Sequence, residues 1–123
     1  MDDMWKIDNL EVYMRVKKLA KDVYGFIGKL PNEERFALGD QMKRAVVSVR
    51  LNMREGSGKR TSKEFASYLD RSLGSIREVC ECFDVGVDLG YFGEEGRKEI
   101  AEMKRIERLL VGYRKFVLDR DIK

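Results

Sequence analysis

The stretch Gln41-Met42-Lys43-Arg44-Ala45-Val46-Val47-Ser48-Val49-Arg50-Leu51-Asn52-Met53-Arg54-Glu55-Gly56 has the pattern of a helix with two apolar faces. At about 100° per residue, with Gln41 at zero, Leu38, Met42, Ala45, Val46, Val49 and Met53 fall between about 40° and 140°. That is a core stripe. Gln41, Arg44, Ser48, Asn52 and Glu55 form a narrow polar seam beside it. Val47 and Leu51 lie beyond the seam, so apolar residues flank it on both sides. A helix facing a single core needs no second apolar strip. The pattern therefore predicts a subunit interface at Val47 and Leu51 that covers the seam; the alternative is a polar solvent edge with two incidental apolar residues, since exposed Val and Leu are common. Under the interface, the seam would be a buried hydrogen-bonded network, with Arg44 and Glu55 both substantially buried.

Three further segments carry helical periodicity. Upstream, Asp8 and Glu11 have capping-box spacing, followed by Val12, Tyr13, Val16, Leu19, Ala20, Val23, Ile27 and Leu30, with Gly28 and Pro31 as stops. Glu33 and Glu34 open the second helix, where the dipole favours anions. Downstream of the Gly56-Ser57-Gly58-Lys59-Arg60 break, Thr61 and Glu64 repeat the cap spacing. The apolar positions Phe65, Leu69, Leu73, Ile76, Val79, Phe83 and Val87 follow. Gly90-Tyr91-Phe92-Gly93 ends that helix. The last carries Ile100, Met103, Ile106, Leu110, Tyr113 and Val117. The expected elements are helices at about 9–29, 33–56, 62–89 and 94–119 within one domain spanning 1–123. Matched lengths and short connections predict an all-α, antiparallel up-down-up-down four-helix bundle. Trp5, ahead of the first helix, is expected to pack on the bundle end or on a neighbouring subunit.

Composition narrows the function classes. The 123 residues are 38% charged and 43% hydrophobic, with one Pro and no His. One compact domain fits that length. No histidine means no serine–histidine triad around Ser48 or Ser72, and no Glu-x-x-His pairs for a di-iron bundle. Glu94-Glu95 and Glu78/Glu81 read as helix-start and surface charge. Cys80 and Cys82 point about 200° apart on a helix, so they cannot bridge, and nothing completes a zinc site. No catalytic residue, metal ligand or cofactor site is expected. The phosphate-loop motif fails at Gly56–Thr61, because Met53 holds the place of its first glycine and Arg60 follows Lys59. With neither a long apolar run nor a signal-peptide pattern, the expected location is the cytoplasm, with no membrane contact.

Charge is polarised, at +3 over residues 31–62 and −3 over residues 63–93. Arg50, Arg54, Lys59, Arg60 and Lys63 gather around the end of the second helix. Lys104, Arg105 and Arg108, with Arg114 and Lys115, add a second basic set on the last. These sets are read as candidates for phosphate contact without base reading, against the alternative of solvated surface charge, which the loop taken alone favours. The acidic third helix, with Asp70, Glu78, Glu81, Asp84 and Asp88, would face away from a polyanion.

The residues Glu34-Arg35-Phe36-Ala37-Leu38, Gln41-Met42-Lys43-Arg44-Ala45 and Ser48 through Gly56 resemble the signature of the four-helix-bundle family encoded in intervening sequences of bacterial large-subunit ribosomal RNA genes. That family includes, or is closely similar to, the accessory variability determinant of diversity-generating retroelements. Arg71-Ser72-Leu73-Gly74-Ser75 and Leu89-Gly90-Tyr91-Phe92 extend the likeness over nearly the whole chain. Ala37 stands where the family often has Gly, and Arg50 and Arg54 where small or apolar residues are common. The resemblance implies a non-enzymatic, ring-like homo-oligomer, typically a pentamer. In the retroelement branch it implies binding to RNA or an RNA–DNA hybrid and to a reverse transcriptase. The alternative is an intervening-sequence-type interaction scaffold with no nucleic-acid role.

Overall fold

A computed structural model describes residues 5–120. Its helices are α1 (Glu11–Ile27), α2 (Asn32–Arg35), α3 (Leu38–Ser57), α4 (Ser62–Asp88) and α5 (Gly93–Asp119), and no strand occurs among the described residues. Four long helices pack in the order α1, α3, α4, α5, with α5 returning against α1. Their stripes meet in one core. Val16, Leu19 and Val23 of α1 are buried against Met42, Val46, Val49 and Met53 of α3, Phe65, Leu69, Ile76 and Phe83 of α4, and Met103, Ile106 and Leu110 of α5. None of the described helices is long and apolar enough to cross a membrane.

The first two helices differ from the sequence reading, the first ending at Ile27 rather than 29. The first helix starts at Glu11, not residue 9, and Leu10 at its N-cap makes no side-chain cap bond. Asp8 is drawn away instead, onto Arg54 at 2.6 Å. The expected 33–56 helix is split. Its first turn, α2, is tied down by Arg35, which donates to the carbonyls of Gly28 (2.8 Å) and Leu30 (3.2 Å), and by Tyr91, which donates to Glu34 (3.0 Å). The chain leaves helical geometry at Ala37 (φ −116°, ψ −88°) before α3 begins. Residue spacing does not reveal the break, because α2 buries none of its residues and no apolar stripe crosses it to mark a change of phase. The other two helices begin and end within one residue of expectation, and the Thr61 hydroxyl accepts from the Glu64 amide at 3.0 Å as a cap.

Interhelix approach is set by small residues. α3 and α4 are joined by a Ser48–Ser75 hydroxyl pair (2.8 Å) and by Ser72, buried and donating to the Val49 carbonyl (2.9 Å). A Cβ on Gly56 would sit 2.6 Å from the Tyr68 Cβ. At the far end Phe92 is wedged between α4 and α5. It packs on Phe26 (5.2 Å between centroids) and Phe83 (5.0 Å), and Gly86 and Gly96 leave room for its ring.

Candidate functional site

The seam of α3 splits by depth. Ser48 and Asn52 are half-buried. Asn52 Nδ2 donates to the Ser48 carbonyl (2.9 Å) and hydroxyl (3.0 Å), which continues to Ser75. Gln41 is exposed and donates to Glu78 of α4 at 3.3 Å. Arg44 and Glu55 are exposed in the single chain, contrary to the expected burial. Glu55 meets Lys59 at 3.5 Å. The reason is geometric. Ser48 and Gln41 bond across to α4, whereas Arg44 and Glu55, at about 300° and 320° on the wheel, lie farthest of the seam from the core stripe.

Val47 and Leu51 occupy the side of α3 opposite the core stripe. Val47 is half-buried, and Leu51 is 61% exposed. A groove of about 410 Å³ runs over them, bounded by Tyr24 of α1 and by Lys43, Arg44, Ser48 and Asn52. Tyr24, itself 48% exposed, was missed by the sequence reading, although it is the aromatic residue of α1 that stands off the apolar stripe.

The basic residues do not form one surface. Arg50 donates to the Tyr13 hydroxyl at 3.2 Å. Arg54 is held by Asp8 and by the same hydroxyl (3.3 Å). Burial alone would raise the Tyr13 phenol, but these two guanidiniums outweigh it and hold its pKa below the ordinary value. Lys59 pairs with Glu55 and lies 5.2 Å over the Tyr68 ring. Arg60 and Lys63 are exposed at the α3–α4 turn. Lys104, Arg105 and Arg108 are exposed in the middle of α5, where Lys104 and Arg108 share a shallow depression with Glu107 and Val111. Phe116, near the end of α5 that meets the α3–α4 turn, is twelve residues or about 18 Å of helix from Lys104. Arg114 is engaged by Asp70 (3.3 Å). Cys80 is half-buried and Cys82 buried, and burial pushes both thiols up, away from the reactive thiolate.

At that end of the bundle the turn, the segment before α1 and the last turns of α5 enclose a cleft lined by Trp5, Lys6, Arg60, Tyr113, Phe116 and Arg120 among others. Trp5 packs on Phe65 (5.5 Å) and its amide donates to the Ser57 carbonyl (3.3 Å). It thus caps the bundle end, one of the two places expected for it. Phe116 and Arg120 were not singled out from sequence. Their i, i+4 spacing on one helix face was the available signal.

Four long helices around one core, with their chemistry confined to the surface, define a helical-bundle protein. The chain belongs to the 23S rRNA-intervening sequence protein family, which matches over residues 8–112. A protein of unknown function from the S23 ribosomal protein family of Bacteroides thetaiotaomicron has a similar structure, with a TM-score of 0.77 at 21% identity over 85% of this chain and 98% of that one. At that identity the likeness is one of fold. No curated protein matches the chain.

Proposed function

We propose that this chain is a non-enzymatic bundle that assembles with copies of itself into a ring and presents basic residues to nucleic-acid phosphates. Its helices would run antiparallel, up-down-up-down. Partner numbers support that topology: Arg15 meets Glu102 while Lys29 meets Glu95, and Arg77 meets Glu107 while Arg114 meets Asp70. The observation that carries assembly is the position of Val47, Leu51 and Tyr24. They form an apolar groove opposite the core, rimmed by Arg44, Ser48 and Asn52, whose polar groups a second copy would cover. The resemblance suggests five subunits. A single chain of net charge +3 is a weak polyanion binder, whereas a ring repeats each basic patch and gains avidity.

Within this reading Arg60, Lys63, Lys104, Arg105 and Arg108 contact phosphates, while Arg50 and Arg54 mainly brace α3 on Tyr13. The partner would be RNA or an RNA–DNA hybrid. Likeness to the accessory variability determinant adds a reverse transcriptase, with the chain supporting diversity-generating retrotransposition. A gene neighbourhood holding that enzyme with paired template and variable repeats is the expected context. One observation favours the intervening-sequence scaffold without nucleic acid: Arg54, Lys59 and Arg114 are engaged by acids of their own chain. A salt titration of RNA and hybrid binding separates the two readings. Phosphate contact predicts affinity falling steeply with salt and weakened when Arg60 and Lys63 become Glu. No binding at low salt rejects the nucleic-acid role and leaves the scaffold.

A further inference from the structure

We infer that the cleft at the bundle end is a stacking site for an unpaired nucleotide of a single-stranded nucleic acid. The inference rests on the nucleic-acid reading above and makes it specific. The cleft has a volume of about 510 Å³, within the roughly 300–1,000 Å³ of small-ligand sites. Flat apolar surface coincides there with cations that form no ion pair among the described residues. The Tyr113 and Phe116 rings lie 6.0 Å apart at 20°, and Phe116 is 49% exposed. Arg120 stands 5.3 Å over Phe116. Lys6, Arg60 and Arg120 line the cleft with no carboxylate among its lining residues, and none of the three forms an ion pair among the described residues. The cleft between α1 and α5, by contrast, carries Asp22, Glu95 and Glu99 beside its lysines. Trp5 also keeps a buried indole N–H with no acceptor among the described residues.

Bases stack on aromatic and guanidinium planes, and phosphates seek cations free of competing acids. An acidic peptide would use the cations but has nothing to place on the rings. A duplex keeps its bases stacked inside and cannot offer one. The site therefore selects single strands with little regard to sequence, since every base has a flat face.

Trp5 is the chain's one tryptophan, so its fluorescence reports on the cleft directly. The probes are an octauridylate, an octamer of the same phosphates without bases, a duplex of equal length and an oligoglutamate. Octauridylate is expected to quench Trp5 and bind roughly ten-fold more tightly than the abasic octamer. Phe116→Ala should remove most of that preference and Arg60→Glu should weaken binding further, both with unchanged thermal melting. Equal binding of octauridylate and abasic octamer, unaffected by Phe116→Ala, overturns the stacking site but leaves phosphate contact standing. Displacement by oligoglutamate as effective as by octauridylate makes it an acidic-peptide site and overturns it as well. No binding of any nucleic acid at low salt removes both this site and the reading on which it rests.

Discussion

Glu99 shows how one carboxyl can set a pH dependence. It is half-buried on α5, with Oε2 buried and unpartnered among the described residues, and its pKa is pushed up to about 7. Burial is the main cause, then the Asp22 carboxylate facing it from α1. Lys18 opposes the shift, and Glu102 adds to it. The folded-state value lies above the unfolded one, so the folded state holds this proton more tightly. The stability it contributes is complete below the ordinary carboxylate range and is lost as pH rises through about 7. Melting temperature should therefore fall between about pH 4.5 and 7.5, and Glu99→Gln should flatten that slope. An equal slope in the variant would assign the effect to another group. Among the described residues, Gly56, Gly86 and Gly96 are constrained by contact. Adding a methyl at Gly86 drives it into the Phe92 ring, and at Gly56 into Phe65 and Tyr68. Each Gly→Ala change should destabilise by about 1–3 kcal/mol in denaturant titrations, whereas Ala at open, mid-helix Gly74 should stabilise by about 0.5–1 kcal/mol.

Ser72 illustrates what holds two elements in register. Buried on α4, it donates to the Val49 carbonyl of α3. Ser72→Ala should cost about 0.5–1.5 kcal/mol, whereas Ser72→Leu should cost more by forcing the helices apart. Thermal melts of both variants check the order, and a milder effect of Leu would mean this contact is looser than drawn. Stripes, caps and stops at this scale could be read from residue spacing, because burial imposes a period and Thr61 or Gly90 imposes an ending. The break at Phe36–Ala37 could not, since α2 is held by bonds from Arg35 back to the Gly28 and Leu30 carbonyls and from Tyr91, far along the chain, to Glu34. The departure of Asp8 from its capping role has the same origin: a partner 46 residues away outcompeted the local one.

At the scale of the molecule, Leu51→Asp tests assembly. If the groove over Val47 and Leu51 is covered by another copy, the charge would be buried there unpaired, and light scattering should show the particle shrinking toward the 14.4 kDa monomer. A wild-type protein that is already monomeric at micromolar concentration would reject the ring. The candidate surfaces were only partly legible. The second apolar strip could be seen from α3 alone, because it is a property of one helix. The fate of the seam could not, because the exposure of Arg44 and Glu55 depends on which neighbours α3 meets. Nor could the end cleft, whose walls come from three segments far apart in sequence. That cleft brings Trp5 and Arg120, the two limits of the described chain, to the same end of the bundle. A cross-link engineered between those two segments would therefore close a loop through all four long helices. Closing so long a loop removes more entropy from the unfolded chain than a staple between neighbouring helices would.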